Sequence, residues 1–472
     1  MPITVNRKSI KFYPNNKRVI AQTYMPCSDD QAKELIQKII DMPEDEHQWV
    51  FNKILRDFSK RHRNISKVFE KSFQNIKTII HDIGIDADTL PIEKKLIIGA
   101  YFTKEYSIES SAFFNPSIVE DPYQGDLENG QKRVIISFRA TGEGHISSIA
   151  FRSGIIDSNH DLTFQSTRDI VDAPEVVTRH VYEKKTFLRK LDEMNIKKDV
   201  ITVVMDQLDD HFIYGELQAA IENVMEETEL SYTRKQVVNA INWLATSHYE
   251  VSFSLDTAIS ERILSPISYA ERNGIEDARF VRFVDDKGKA IYYATYTAYN
   301  GFSILSKLIE TEDFYHFKVV PLHGKYVKSK GMALFPRKIK NRYAMLSRIE
   351  GVNNYIMFSN NINLWQDTKM IQQPRYPWEL IQVGNAGSPI ETEYGWLVIT
   401  HGVGPMRTYS LGAVLLDLDD PTKIIGYLKE PLLTANEEER EGAVPNVVYS
   451  CGSIIHNNAL IVPYAMSDYA ST

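Results

Sequence analysis

A short segment near the middle of the chain, NGIEDARF at residues 273–280, places two carboxylates beside a guanidinium. Glu276 and Asp277 are adjacent, and Arg279 follows two residues later. Successive side chains of an extended segment point to opposite faces, so we expect only one carboxylate to enter a shared pocket and the other to be structural. A carboxyl that is desolvated enough to keep its proton can act as a general acid. The segment alone is a weak signal, because a solvated turn has the same composition.

Further polar residues stand at the ends of five short apolar strands. The strands are RVIISFR from residue 133, AIYYATY from 290, RYAMLSR from 342, GWLVITH from 395 and ALIVPYA from 459. The polar residues at or just beyond their ends are Arg139, Tyr296, Asn300, Arg348, His401 and Asp468. Guanidinium and imidazole donors suit hydroxyl, carboxylate or phosphate oxygens, so the set favours a polyhydroxylated or anionic ligand. For any one of these positions, the alternative to ligand binding is that the residue is simply solvated in a loop.

Motifs of other chemistries are missing from the sequence. No GxSxG elbow is present, and neither Cys27 nor Cys451 has a catalytic signature. The glycine-containing GEGHISS at residues 142–148 lacks the lysine of a P-loop, so we interpret it as a loop at a site mouth or a plain turn. In the first case His145 would touch ligand. No ligand pair has metal-site spacing, and of Trp365, Trp378 and Trp396 we expect at least two to be core.

The spacing of the repeated strands predicts the fold. The last four begin at residues 290, 342, 395 and 459, which is about 50 to 60 residues apart. One four-stranded blade per repeat explains this spacing better than a sandwich, so the fold class is mainly β, a five-bladed β-propeller. If the repeated strands lie beside the axis, their ends line a funnel.

Helical spacing precedes and interrupts the repeats. Residues 28–80 read as helices, with a possible capping box at Ser28 and a cap at Asn64. The first repeat interval is longer by about 100 residues, and its apolar periodicity predicts a helical insertion, residues 170–255, between blades one and two. We therefore expect an N-terminal helical region over residues 1–105 and a catalytic propeller over 106–472.

Composition excludes several function classes. The 472 residues carry 54 Lys and Arg against 62 Asp and Glu, a formal charge of −8, with no basic run, so nucleic acid is not an expected partner. No apolar stretch approaches the roughly 20 residues that span a bilayer, and the N-terminus has no apolar signal region. Two distant cysteines predict neither a disulfide nor zinc, so we expect a reducing cytoplasm.

A set of ordered motifs resembles a known family. The motifs are FFNPSIV at 113–119, ISFRA around residue 139, GIEDARF, ALFPRKIKNRYAMLSR at 333–348, GSPIETEYGWLVITHGVG at 387–404, YSLGAVLLDLDDP at 409–421 and VPNVVYSCG at 444–452. Over nearly all of residues 110–470 the chain resembles glycoside hydrolase family 130. This resemblance implies five-bladed propeller enzymes that act on β-mannosides, mostly as inverting phosphorylases and in part as hydrolases.

The resemblance also implies roles for the acidic segment and its neighbours. Asp277 would be the catalytic acid and would protonate the glycosidic oxygen through a hydroxyl of the bound sugar, with Glu276 and Arg279 binding substrate beside it. Arg139 would hold the sugar that carries the reacting anomeric carbon. Asp468 would accept hydrogen bonds from the hydroxyls of that sugar.

The remaining implied roles concern phosphate and the rest of the substrate. Asn300 and His401 would contact substrate, and Lys330, Arg348 and Tyr409 would bind phosphate. Phosphate enters as a co-substrate, so no separate cofactor and no metal are expected. The expected partners are a β-linked mannoside or oligosaccharide and phosphate, and the helices of residues 28–100 would form contacts in a homo-oligomer.

The sequence departs from the phosphorylase pattern in one informative place. WELIQVGNAG has Gln382 where the resemblance predicts a lysine, which weakens the case for phosphate. A hydrolase instead needs a carboxylate base to activate water, for which Glu350, Glu391 and Glu441 are available. Hydrolysis of β-mannosides by the same fold is therefore the alternative, and a noncatalytic glycan-binding propeller is the third interpretation. The linkage, the physiological direction and any chain beyond Thr472 are left open.

Overall fold

The N-terminal region is helical, as its apolar spacing predicts. The computed structural model describes residues 3–26, 28–177, 181–194, 198–227 and 232–472, so Cys27 lies outside the described residues. Apolar residues three or four positions apart give the helices one buried face, where Ile36, Phe73 and Ile97 meet. The elements are β1 (Val19–Thr23), α1 (Asp29–Ile40), α2 (Glu44–Phe58), α3 (Ile65–Asn75), α4 (Lys77–Asp82), α5 (Ile92–Tyr101) and β2 (Thr103–Ser107).

The first sheet and the helical insertion follow. The first sheet contains β3 (Ala112–Glu120), β4 (Lys132–Thr141), β5 (Ser147–Ile156) and β6 (Leu162–Phe164). The insertion contains β7 (Glu175–Val177), β8 (Val181–Glu183), α6 (Lys184–Glu193), α7 (Lys198–Met205), β9 (His211–Ile213), α8 (Tyr214–Glu227), α9 (Tyr232–Thr246) and β10 (Tyr249–Ser252). Its helices share an apolar core that includes Phe187, Leu217 and Ile241. Strands β10 and β7 join the outer edge of the second sheet and so anchor the insertion there.

The remaining sheets follow in chain order. Strand β11 (Ile263–Leu264) returns to the first sheet, and the second sheet contains β12 (Ile275–Val284), β13 (Ala290–Tyr299), β14 (Ile304–Thr311) and β15 (His316–Pro321). The third contains β16 (Ala333–Leu334), β17 (Tyr343–Ser347), β18 (Asn354–Ser359) and β19 (Asp367–Gln372). The fourth contains β20 (Gln382–Asn385), β21 (Ile390–Thr392), β22 (Gly395–Val403), β23 (Tyr409–Leu416) and β24 (Ile424–Tyr427). The last contains β25 (Val448–Tyr449), β28 (Ala465–Met466) and β29 (Ala470–Ser471), with a separate hairpin of β26 (Ile454–His456) and β27 (Ala459–Ile461).

The five sheets form the blades of a closed propeller. Consecutive sheets touch through β12 and β3, β13 and β16, β17 and β20, and β23 and β25, and β28 and β29 then touch β3. Apolar pairs fill each gap in turn: Phe151 and Phe280, Phe283 and Met345, Leu346 and Trp396, Ile399 and Val448, and Phe114 and Ala465. The predicted five-bladed fold is confirmed.

The repeated strands are not the innermost ones. Strands β3, β12, β16, β20 and β25 form the inner edges of the sheets, and β4, β13, β17 and β22, which contain the repeated sequences, are second from the axis. Each second strand runs antiparallel to its inner neighbour, so its C-terminal end lies beside the N-terminal end of the inner strand. The ends of the repeated strands therefore still lie towards the mouth of the funnel, one strand farther out from the axis.

The N-terminal segment takes part in the propeller. The amide of Phe12 donates to the carbonyl of Ser471 at 2.7 Å, and the amide of Ser471 donates back at 3.0 Å. Arg18 is fully buried with Glu109, 2.7 Å away, and Arg152 donates to the same carboxylate at 3.1 Å. Burial lowers the pKa of Arg18 to about 10. Whether residues 1–105 form a separate unit stays a prediction.

None of the helices in the described part of the chain is long and apolar enough to cross a bilayer. Over the same residues, His, Cys, Asp and Glu side chains form no group of three or more that could hold a metal ion. Cys451 is buried and forms no disulfide with any residue that the structure describes. Burial raises the pKa of the Cys451 thiol far above its usual value, which disfavours the thiolate needed for nucleophilic attack.

Candidate active site

Asp277 lies at a β-bulge in β12, the inner strand of the second blade. The pairing with β13 shifts between Glu276 and Arg279, and the φ angle of Asp277 is +53°, in the left-handed region. The bulge breaks the alternation of side chains. Arg139 donates through Nη2 to Glu276 Oε1 at 2.9 Å, and its Nη1 lies 3.5 Å from Asp277 Oδ1. The expectation that only one of the two carboxylates enters the pocket is therefore wrong.

A second bulge, in β3 of the first blade, faces the first. Its register shifts between Phe114 and Ser117, and Asn115 adopts a φ angle of +49°. The Nδ2 atom of Asn115 donates to Asp277 Oδ1 at 2.6 Å. Our sequence analysis missed Asn115, although a signal was present: Asn115, a residue type that tolerates the left-handed region, interrupts the apolar run of FFNPSIV.

Arg279 and Lys330 add positive charge to this cluster. Arg279 is buried, and it donates through Nη1 to the backbone carbonyl of Asp277 at 3.4 Å and through Nη2 to the hydroxyl of Tyr449 at 2.6 Å. Lys330 donates to Glu276 Oε2 at 2.5 Å, and its side chain is 43% exposed. The cations thus bracket the carboxylates from the interior and from the solvent side.

The surrounding charges set the protonation of Asp277. Burial alone would raise the pKa of this carboxyl, but the charges of Arg139 and Arg279 and the hydrogen bond from Asn115 outweigh burial, and the pKa lies below its ordinary value. The free site therefore holds Asp277 as a carboxylate. Its side chain keeps 18% of its surface exposed, so the group is open to a ligand and not sealed in its ion pairs.

Asp468 differs from Asp277 in its environment. It follows β28 with a φ angle of +52°, and its carboxyl has no hydrogen bond or ion pair within the described ranges. Burial, followed by the nearby charge of Asp277, raises the pKa of Asp468 to about 6, and the opposing charge of Arg139 does not compensate. The two carboxyls therefore titrate in different ranges: Asp277 ionises below its ordinary range, whereas Asp468 ionises only as the pH rises through about 6.

A second cluster surrounds Arg348, which follows β17 of the third blade. Nδ1 of His401 lies 2.9 Å from the carbonyl of Asn385 and must donate to it, so Nε2 accepts from Nη1 of Arg348 at 3.0 Å. Burial and the charges of Arg348 and Arg279 hold the pKa of His401 well below its usual value. The imidazole is therefore neutral, and it serves as a fixed acceptor that orients Arg348.

Gln382, which stands where the resemblance predicts a lysine, belongs to this second cluster. When its amide is oriented to satisfy both neighbours, its oxygen accepts from Arg348 Nη1 at 3.0 Å and its nitrogen donates to the carbonyl of Gly351 at 3.2 Å. The same amide group lies 3.3 Å from the hydroxyl of Tyr409. Gln382 adds no charge but helps to hold Arg348 and Tyr409 in place.

Tyr449 joins the two clusters. Its hydroxyl accepts from Arg279, and its ring lies 5.0 Å from the ring of His401 and 6.4 Å from that of Tyr409, measured between centroids. Burial raises the pKa of Tyr449, so the phenol stays neutral. We did not single out Tyr449 from the sequence, although the quoted motif VPNVVYSCG contains it.

Not every predicted residue joins these clusters. Asn300 is buried in the turn after β13, where its Oδ1 accepts from the amides of Phe302 at 3.0 Å and Ser303 at 2.8 Å. Tyr296 is core, since its hydroxyl donates to the buried Glu271 at 2.5 Å. Trp365 and Trp396 are fully buried, as expected for core residues. The turn that holds Asn300 lies at the same end of the blades as Asp277.

The fold and the site define a class: a five-bladed propeller whose funnel holds a carboxylate, Asp277, between arginines, with a second arginine cluster beside it. A family model described as beta-1,4-mannooligosaccharide phosphorylase matches residues 221–471. The chain belongs to this family, glycoside hydrolase family 130, as its motifs indicate.

Individual relatives agree with this assignment. A 1,2-beta-oligomannan phosphorylase from a Thermoanaerobacter species is 35% identical over 221 residues, which cover 44% of this chain and 70% of the relative. A beta-1,2-mannobiose phosphorylase from Listeria innocua is 28% identical over 331 residues, 68% of this chain and 86% of the relative. Among solved structures, the complex of a Listeria innocua beta-1,2-mannobiose phosphorylase with beta-1,2-mannobiose matches 78% of this chain and 90% of its own, with 21% identity and a TM-score of 0.43, a likeness on which the assignment does not rest.

Proposed function

We propose that the protein is an inverting phosphorylase that cleaves β-mannosides and releases mannose 1-phosphate. One observation carries the proposal: Tyr449 links the Asp277 cluster, through Arg279, to the Arg348 cluster, through His401. A phosphorolytic site needs both, one group to protonate the departing oxygen and another to orient the attacking anion. Membership of the family and the named activities of the relatives support the same reaction.

The reaction replaces one bond with another at the anomeric carbon. A phosphate oxygen attacks this carbon from the face opposite the glycosidic oxygen, so the carbon–phosphate-oxygen bond forms as the glycosidic bond breaks and the configuration inverts. Asp277 supplies the proton that the departing oxygen needs, through a hydroxyl of the bound sugar. The proton carried in by hydrogen phosphate returns Asp277 to its acid form. Arg139 and Asp468 hold the sugar hydroxyls.

The low pKa of Asp277 in the free site fits this sequence of events. Asp277 must be protonated to act as the acid, but in the free site Arg139, Arg279 and Lys330 stabilise its anion. A bound phosphate dianion shares the field of these cations and adds negative charge nearby, and both effects raise the pKa of Asp277. Phosphate thus acts as nucleophile and also promotes protonation of the acid. No other cofactor is needed.

Hydrolysis is the alternative, and the candidate bases differ in their fit. Glu391 lies opposite Trp396 at the far end of β22 and pairs with Arg337 at 2.8 Å. Trp396 is five positions before His401 on β22. Its partner Glu391 therefore lies about 17 Å along the strand from His401 and the candidate site. Glu441 is exposed, and Glu350 is exposed in the loop after Arg348, where it binds Asn353. Of the three, only Glu350 adjoins the second cluster.

Phosphate dependence separates phosphorolysis from hydrolysis. The enzyme is incubated with β-1,2- and β-1,4-mannobiose, with and without inorganic phosphate, and mannose 1-phosphate and free mannose are quantified. We expect mannose 1-phosphate in the α configuration and no turnover without phosphate. Phosphate-independent release of mannose would establish the hydrolase instead, and Glu350→Gln would then abolish turnover if this residue is the base.

Two further parts of the proposal concern the setting of the enzyme. We place it in the cytoplasm, where the sugar phosphate is retained. We also propose a homo-oligomer formed through residues 28–100, a region that exposes Trp49 and Ile92. Light scattering tests the assembly, and a monomeric mass would reject it.

A further inference from the structure

A large cleft separates the N-terminal helices from the propeller. Its volume is about 1270 Å³, whereas pockets for drug-sized ligands measure about 300–1,000 Å³. One wall is a face of α3, where residues three or four apart point the same way: Asn64, Lys67, Val68, Lys71 and Ser72. This wall lies outside residues 221–471, the span that the family model matches.

The opposite wall belongs to the propeller and leads to the active site. It includes Glu143 and Gly144, in the loop after the strand that carries Arg139, and also Tyr269 and Arg272. From Arg272 the chain enters β12 and reaches Asp277 within five residues. Arg272 Nε also donates to the carbonyl of Asn300 at 2.8 Å, in a turn at the mouth of the funnel. The cleft and the funnel therefore share a rim.

The shared rim carries aromatic surface. Tyr269 is 53% exposed, and its hydroxyl accepts from Arg272 Nη1 at 2.8 Å. The guanidinium of Arg272 lies 4.5 Å from the ring centroid of Tyr269 and 5.6 Å from that of Phe302, which is 88% exposed. Exposed rings flanked by hydrogen-bonding groups match a sugar, which has an apolar C–H face and polar edges.

Charges of both signs line the cleft, and basic side chains outnumber acidic ones there. Arg63 pairs with Asp256 at 2.7 Å and Lys104 with Glu143 at 3.3 Å, and both pairs bridge from the N-terminal region to the propeller. Both signs therefore line the cleft, and these two cations are already matched. The same bridges hold the two walls at a fixed separation.

We infer that this cleft binds the leaving-group end of a β-mannan chain, so that the enzyme acts on oligosaccharides in preference to disaccharides. The inference rests on the proposed function, because the terminal mannose must be released at Asp277 by phosphate bound at the Arg348 cluster. That sugar occupies the funnel floor, the chain crosses the rim at Tyr269, and later units lie against α3 near Lys71. The N-terminal region thereby contributes directly to substrate recognition.

The test measures phosphorolysis as a function of chain length. kcat/KM is determined for β-1,2- and β-1,4-linked mannooligosaccharides of two to five units. We expect kcat/KM to rise from the disaccharide to the tetrasaccharide in the unaltered enzyme. In the double variant Lys71→Ala/Tyr269→Ala, the tetrasaccharide should lose about tenfold more than the disaccharide, because each variant removes contact area met only by later units.

A matched control uses the same residue types elsewhere. The double variant Lys38→Ala/Tyr394→Ala alters an exposed lysine of α1 and an exposed tyrosine of the hairpin before β22, and its chain-length profile should match the unaltered enzyme. Equal losses for all lengths in the cleft variant, or a flat profile in the unaltered enzyme, would overturn the inference.

If the proposed function is wrong, the cleft can still be tested by binding alone. If no mannoside is cleaved with phosphate, calorimetry with the tetrasaccharides still tests the cleft. Binding that weakens in Lys71→Ala/Tyr269→Ala supports the cleft as a glycan site, and absence of binding to the unaltered protein rejects it.

Discussion

Replacing Asp277 by Asn removes the acid while preserving the local backbone. Asp277 occupies the left-handed region, which Asn tolerates, whereas Ala adds strain of about 1–2 kcal/mol there. The Asn oxygen can still accept from Asn115, and Arg139 keeps Glu276 as a partner. We therefore expect Asp277→Asn to fold, with a circular dichroism spectrum like that of the unaltered protein.

The expected kinetic loss follows from the role of the group. General acid catalysis contributes about 10²- to 10⁴-fold, which corresponds to about 3–5 kcal/mol of transition-state stabilisation. We expect kcat for phosphorolysis of β-mannobiose to fall by this factor, measured as release of mannose 1-phosphate. KM for mannobiose should change far less, because the variant keeps the size and most hydrogen bonds of the side chain.

A second substrate distinguishes proton donation from binding by Asp277. A p-nitrophenyl β-mannoside has a leaving group that departs as a stable anion and gains little from protonation. Asp277→Asn should therefore lose much less activity on the aryl mannoside than on mannobiose. Equal losses on both substrates, or a loss below about tenfold on mannobiose, would refute the assignment of Asp277 as the acid.

The remaining predictions probe the other charged groups of the protein. His401→Asn withdraws the acceptor that orients Arg348, so KM for phosphate should rise about tenfold while KM for mannobiose changes little; equal effects on both would contradict the orienting role. On the proposed role of Asp468, in which its carboxylate accepts hydrogen bonds from sugar hydroxyls, kcat/KM should rise with pH through about 6, and Asp468→Asn should flatten this limb of the profile. Glu109→Gln leaves two buried arginines, Arg18 and Arg152, without a countercharge, so the free energy of unfolding from urea titration should fall by about 3–5 kcal/mol. An unchanged urea midpoint would show that these ion pairs contribute little to stability.

The fold was predictable because its main signal is repetitive. Apolar segments such as GWLVITH recur about once per blade, since every blade must bury the same second strand between its neighbours. Their position in the sheet was not predictable. The inner strands β16, β20 and β25 have only two to four residues and leave no periodic pattern, so the longer second strands were interpreted as the inner ones.

Several residues of the candidate site could be located from the sequence, but their geometry could not. Motifs located Arg139, Glu276, Asp277 and Arg279, yet strand alternation predicted that the two carboxylates diverge. The bulge arises in the pairing of β12 with β13, and the carboxyl of Asp277 is held there by Asn115 of the first blade, 162 positions away in the chain. Contacts between residues so far apart in the chain depend on how neighbouring blades pack, and no local sequence pattern predicts them.

The N-terminal region shows why a boundary at residue 105 is physically difficult. Strand β2 runs through this position and pairs along its whole length with β1, so the cut would split a ladder. Upstream of it, Phe12 completes the last blade and Arg18 supplies a buried charge to the first blade. The N-terminal segment thus pairs with the last blade, packs on the first and forms one wall of the cleft, and under the inferred glycan binding its helices influence substrate choice without contacting the reacting atoms.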